Sequence, residues 1–223
     1  MSIHQPPFDL HPKARKVVDA YEEMRRSDAI TRACYRDLPP SNRLQYELLD
    51  WHNYRILLDL FSQDTNPFVM LSLKEPKKLD EYVAYQLAIG LYSGKRGMCD
   101  WFLRLADGTY VGISHLYDVS FELWEGKRFP YMCGYAIAEP FRRQGYGYEA
   151  LSQLLSRLPE DFKLFKARAE PLEANVASRA LLEKVGFRFE KTFKNYWGEA
   201  ALYNKKLVKR TPRLSWKEFS GVL

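Results

Sequence analysis

Six residues, Arg142-Arg143-Gln144-Gly145-Tyr146-Gly147, carry the densest chemical signal in the chain. Two glycines one residue apart stand just before an apolar helical stripe at Ala150, Leu151, Leu154, Leu155 and Leu158. Bare backbone there can approach a ligand where a Cβ would obstruct. A helix start also presents unpaired N–H groups and the positive end of the helix dipole, and phosphates are the anions best held at such points. Arg142 and Arg143 can add charge-assisted donors. The spacing is not that of a Walker loop, which ends in Gly-Lys-Ser/Thr. It also departs from the dinucleotide fingerprint, because Ala150 occupies the third glycine position and the loop follows the fourth strand of the pattern rather than the first. The plain alternative is a tight strand-to-helix turn.

A second segment decides between these. Asn175-Val176-Ala177-Ser178 opens another helical pattern that closes at Gly186-Phe187, and a helix and a strand separate it from the glycine loop. The run "GYAIAEPFRRQGYGYEAL" followed by "NVASRALLEKVGF" resembles the GNAT N-acetyltransferases, most closely their RimJ/RimL-like branch. The resemblance extends from about Arg43 to Leu207. It implies a single α/β domain with a central mixed, mostly antiparallel twisted sheet of about seven strands and helices on both faces. It also implies acetyl-CoA as co-substrate, no metal, and direct transfer of an acetyl group to a primary amine, either a protein N-terminus or a small molecule. By the same resemblance, pantetheine would pair with the backbone edge at Tyr135, Ala136 and Ile137. The pyrophosphate would lie on Arg142, Arg143, Gln144, Gly145, Tyr146, Gly147 and Tyr148. Asn175 would contact the pantetheine arm, and Ser178 would donate a proton to the leaving thiolate. Many relatives carry an acidic tyrosine seven residues after the asparagine; Leu182 stands there. Glu199 matches the position of a catalytic glutamate in some relatives, and Glu170, His115 and Asp118 are other candidate bases. A catalytically weak CoA-binding sensor on the same fold is the alternative reading.

The elements that must position these residues follow from periodicity. Residues 1–40 read as an N-terminal helical arm, with Val17, Val18, Tyr21 and Met24 on one face, closed by Pro39-Pro40. The arm packs either on the main body or on a second copy, and in the second case the protein is a homodimer. Residues 41–207 read as the catalytic domain and 208–223 as a tail. Within the domain, "RLQYELL" alternates as a strand, and Asp50 suits the N-cap of a helix carrying Ile56, Leu57, Leu60 and Phe61. A helix is expected from Lys77, ending near Gly90 or Gly94. A hairpin follows around Asp107-Gly108, then a loop from Ser120 to Pro130, then the strand "YMCGYAIA". Pro159 should stop the helix after the glycine loop.

Composition excludes several classes. No apolar run reaches the length of a membrane span, and nothing resembles a secretory signal at the start of the chain. Three cysteines at wide spacing give neither a disulfide framework nor a zinc site and fit a reduced, cytoplasmic chain. Residues 1–139 carry 17 Lys and Arg against 19 Asp and Glu, and residues 140–223 carry 17 against 9. The half with the glycine loop thus holds all the excess positive charge. Those cations are interspersed with apolar residues rather than blocked together, so a small anion is favoured over nucleic acid.

Overall fold

The computed structural model describes residues 37–49, 53–83, 97–119, 123–124, 127–128, 131–161 and 166–207. The arm helix, the tail, Asp50, Phe121 and the second half of the helix expected from Lys77 lie outside the described residues, as does the side chain of Asp118.

Nine strands are described: β1 (Gln45–Leu48), β2 (Gly97–Arg104), β3 (Tyr110–Val119), β4 (Leu123–Trp124), β5 (Lys127–Arg128), β6 (Tyr131–Ile137), β7 (Lys166–Ala169), β8 (Arg188–Asn195) and β9 (Gly198–Lys206). Seven of them form one sheet in the order β1-β2-β3-β6-β7-β9-β8, and β4 pairs with β5 alone. Every pairing in the main sheet is antiparallel except β6 with β7. The mixed seven-stranded sheet is therefore as expected. The stretch expected to be a plain loop, 120–130, is instead interrupted by the β4–β5 hairpin.

Two apolar layers cover the sheet. On one face, α2 (Tyr146–Asp161) and α3 (Val176–Lys184) pack over Trp101, Leu103, Leu116, Cys133, Ile137, Ala167, Ala201 and Tyr203. The predicted stripe on α2 is buried in full, and each such leucine contributes about 1.5–3 kcal/mol. On the other face, α1 (Ile56–Phe61) and helical residues 76–83 cover Phe102, Ile113, Ala136 and Ala138. That α1 is short follows from its start at Arg55, which offers no side-chain cap.

Pro159 does not stop α2, which continues to Asp161. A proline there removes one N–H from the ladder. The last turn is held from its side chains instead: Arg157 grips Asp161 through two bonds of 2.8 Å and pairs with Glu160 at 2.8 Å.

Candidate active site

The site begins where two parallel strands part. β6 and β7 pair only at Tyr131↔Ala167 and Met132↔Arg168. Beyond Met132, β6 runs on to Ile137 with no strand on that side among the described residues, while β3 pairs with its other edge as far as Gly112↔Ile137. The Ala138 N–H bonds to Val111 O at 3.0 Å, which fixes the alternation of the strand. Gly134 and Ala136 turn their peptide groups to β3, whereas Cys133, Tyr135 and Ile137 turn theirs into the gap. The edge predicted at Tyr135, Ala136 and Ile137 is thereby refined: Ala136 faces away and Cys133 faces in. An extended ligand segment can add to such an edge through main-chain bonds.

The gap ends at the glycine loop. A 3₁₀ turn, Glu139–Phe141, leads into it. Arg143 (φ 61°) and Gly145 (φ 86°) both take left-handed backbone. The conformation costs Gly145 little and Arg143, which carries a Cβ, of order 1 kcal/mol. The first bond of α2 runs from Glu149 N–H to Gly145 O, so the N–H groups of Tyr146, Gly147 and Tyr148 precede the helical ladder and point out of its positive end. Gly147 has a second reason to be glycine. A Cβ there would lie 2.9 Å from Tyr135 Cε2 and 3.3 Å from Leu181 Cδ1, so its absence lets α2 sit down on β6.

The two arginines part company. Arg142 turns inward: its Nε donates to Ile137 O at 3.0 Å, and its guanidinium pairs with the buried carboxylate of Asp64. Both were expected to serve an anion. Arg142 is engaged by Asp64, whereas Arg143 is exposed beside Gln144 and Gly145. Asp64 also caps Asn66 N–H, and Lys74 donates to the carbonyls of Asp64 and Asn66, so the segment after α1 is knotted and tied to the loop.

A third clasp was not visible in sequence. Arg43, two residues before β1, reaches across to donate to Gln144 O at 3.0 Å, to pair with Glu149 at 2.7 Å, and to stack over the Tyr146 ring at 4.5 Å. Glu149 also accepts from Ser41 Oγ and Arg43 N–H. Burial alone would raise its pKa; these bonds and the Arg43 charge outweigh it and hold the carboxyl below its ordinary range. Glu149 is thus a structural acceptor that anchors the first turn of α2.

Asn175 and Ser178 meet at the start of α3. Asn175 is the N-cap and its Oδ1 accepts from Ser178 N–H at 3.1 Å. Burial raises the pKa of the Tyr135 phenol, and the nearby Ser178 hydroxyl lowers it in part. A second hydroxyl therefore lies beside Ser178. Leu182, one turn further on, is buried in the core, so the position where relatives carry a tyrosine offers no proton here. Cys133 is buried with its thiol pushed up to about 12 by desolvation, and its Sγ lies 3.6 Å from Arg168 O, which makes it a poor nucleophile.

The candidate bases are scattered. Glu199 is exposed, opposite Lys194 in the β8–β9 hairpin, and its carbonyl accepts from Glu173 N–H. Strand alternation puts its side chain on the face of Ala201 and Tyr203, the face of α2 and α3. Glu170 pairs with Arg168 on the opposite face of the sheet. His115 is also on that opposite face, buried against Asp100. Among the described residues no cluster of His, Cys, Asp and Glu is arranged to hold a metal, and no helix is long and apolar enough to cross a membrane.

Comparison with known proteins meets this geometry. A sequence model described as the Acetyltransferase (GNAT) domain matches residues 19–188. RimJ from Mycobacterium smegmatis, solved with CoA-disulfide, superposes with a TM-score of 0.63 at 18% identity, over 78% of this chain and 88% of that one. The ribosomal-protein-S5-alanine acetyltransferase from Vibrio fischeri gives 0.60 at 15% identity, over 79% and 99%. A spermidine N-acetyltransferase chimera of SpeG from Vibrio cholerae and hSSAT gives 0.59 at 12%, over 74% and 96%. No curated protein matches by sequence. With strands parted beside a glycine loop and a GNAT domain matched over most of its length, the chain belongs to the GNAT acetyltransferase family.

Proposed function

We propose that the protein transfers an acetyl group from acetyl-CoA directly to a primary amine, through a ternary complex and without an acyl-enzyme. The observation that carries this is the gap between β6 and β7 running straight into the Arg143–Tyr148 loop: one open backbone edge continuous with one anion-binding helix end. A thioester bound there supplies an acetyl carbonyl open to an amine. Tyr135 and Cys133 offer main-chain donors along the edge, and a main-chain N–H is the kind of donor that stabilises charge on a reacting carbonyl oxygen. Arg143 and the N–H groups of Tyr146, Gly147 and Tyr148 hold the phosphates. Asn175 fixes the first turn of α3, and Ser178 gives its proton to the departing sulfur. The buried, high-pKa thiol of Cys133 argues against a covalent route. Glu199, exposed at the hairpin, is positioned for acceptor contacts at the rim.

The acceptor is a protein N-terminus or a small polyamine-like amine, since neighbours of this fold include both kinds by name. Titration calorimetry with acetyl-CoA should show one site. Thiol release with a panel of N-terminal serine and alanine peptides and spermidine should then pick out the acceptor. Binding without turnover on any amine would favour the CoA-binding sensor, a reading that the core-facing Leu182 keeps open.

A further inference from the structure

One side of α3 follows the site from the strand edge out to the glycine loop. Ser178, Leu181 and Lys184 are three residues apart on that helix, the spacing that stacks side chains on one side. Ser178 is near the Tyr135 phenol. Leu181 is at Gly147, where an added Cβ would meet Leu181 Cδ1 at 3.3 Å and Tyr135 Cε2 at 2.9 Å. Lys184 reaches Tyr148, its Nζ 5.1 Å from the centre of the ring. The row therefore runs hydroxyl, apolar, cation from β6 to the first turn of α2. The transfer scheme uses the first member and leaves the last without a role.

A lysine in the last turn of a helix often does no more than meet the helix's negative end. Here that end is already served. Lys205 donates to Val185 O, Gly186 N–H to Glu183 O and Phe187 N–H to Leu182 O. Glu183, next in the chain, accepts from the Tyr203 hydroxyl, and Lys184 makes no ion pair. The comparison with Arg43 is instructive. Both cations lie over a tyrosine ring in the first turn of α2, but Arg43 is neutralised by Glu149 whereas Lys184 is exposed and keeps its charge. Tyr148 is 41% exposed, and its own N–H precedes the helical ladder. Helical Cβ atoms tilt toward the start of the helix, so its ring leans to the end where the free N–H groups point.

We propose that Tyr148 and Lys184 bind the nucleotide end of CoA, the ring stacking on adenine and the ammonium pairing with the ribose 3′-phosphate. This rests on the transferase reading above and names the part of the co-substrate that the outer end of the site selects. In CoA the pyrophosphate joins pantetheine to the nucleotide. With pantetheine on the β6 edge and the pyrophosphate on the Arg143–Tyr148 loop, the nucleotide lies beyond the loop, on the side away from the strand. An exposed tyrosine ring is a platform on which a base stacks. An ammonium on a flexible stem, unclaimed by any carboxylate, suits a terminal phosphate, which is a point target rather than a planar fork. The pyrophosphate and the 3′-phosphate thus have separate holders: Arg143 with the helix N–H groups for the first, Lys184 for the second.

The test is calorimetry on the full chain with CoA and with dephospho-CoA, which lacks only the 3′-phosphate. The wild-type protein should bind CoA about tenfold more tightly, the scale of one hydrogen bond to a charged group. K184Q should lose that preference by losing affinity for CoA alone, with affinity for dephospho-CoA staying within twofold. K184R should keep most of it. R143Q should weaken both ligands by the same factor, and Y148A should weaken both about fivefold through lost stacking. If K184Q does not fold, the wild-type ratio and K184R carry the same test. Equal wild-type affinities for the two ligands, a preference that survives K184Q, or one removed by R143Q instead, overturns the Lys184 assignment alone. Wild-type affinities in Y148A remove the ring from it. Failure of the wild-type protein to bind either ligand overturns the acetyl-CoA reading, and this assignment with it.

Discussion

The two faces of β6 are built in opposite ways. Toward α2 and α3, the proposed chemistry comes from residues close together in sequence: Arg143 to Tyr148, then Asn175 and Ser178, with Tyr135 packed beside them. Toward α1, the polar group is assembled from Tyr82, Asp100, His115 and Gly134, one residue from each of four segments. The first face works mainly through backbone: helix N–H groups, a strand edge and glycines. The second works only through side chains brought together by strand register. Phosphate and pantetheine are alike in every CoA enzyme, so a local motif can serve them.

If the faces are separable, substitutions on one should leave the other's readout untouched. The largest effect is expected from Gly145→Glu. A carboxylate at the helix end, on backbone with φ 86°, should weaken acetyl-CoA binding by more than about 100-fold by calorimetry. Unchanged affinity would return the loop to a simple turn. Gly134→Ala strikes the other face. The Asp100-held ring of His115 must move, and thermal denaturation should report a loss of about 1–3 kcal/mol with acetyl-CoA affinity intact. A parallel loss of affinity would show that the faces are coupled. Ser178→Ala should lower kcat by about tenfold with little change in affinity, and full activity would leave that serine as a packing residue.

Two smaller effects concern the clasps. Asp64→Ala leaves the Arg142 guanidinium without its partner, and thermal denaturation should report a loss of about 2 kcal/mol, less than for a wholly buried pair because Arg142 is partly exposed. Glu149→Gln tests the depressed carboxyl. A group whose folded pKa is lowered stabilises the fold above its ordinary value, and that contribution disappears as the pH falls through the folded value. Wild-type stability should thus drop more steeply than that of E149Q below about pH 4.5, the ordinary range of a glutamate. Parallel melting curves from pH 3 to 7 would remove Glu149 from the anchor of α2.

Much of the Asp100–His115 pair could have been read from the chain. The hairpin was predicted around Asp107-Gly108, and Asp100 and His115 are equally far from that turn. The actual turn differs: Gly108 adopts φ 93°, Leu105 pairs with Thr109, and a bulge between Leu103 and Arg104 restores the register that a two-residue turn would have given. The signal was therefore present, but a histidine on an alternating strand is more often a core residue, and nothing local distinguishes the two. The inward turn of Arg142 had no such signal. Its partner Asp64 is 78 positions away, in a segment with no periodicity of its own. Pro159 misled for a different reason, since the Arg157–Asp161 clamp is local but adds side-chain bonds to the last turn that the proline weakens.

The seven-stranded sheet was implied by the family resemblance, while the amino-acid sequence by itself determined the individual strand and helix segments, the glycine loop and the helix start at Asn175. These depend on hydrophobic periodicity, on backbone conformations open only to glycine, and on hydrogen bonds that span three or four residues, all of which are short-range properties. Only the tertiary structure decided which arginine turns inward to Asp64 and where β6 and β7 part. Each of these depends on where distant strands end and in what register they pair, and a buried charge takes whichever partner that register brings within about 3 Å.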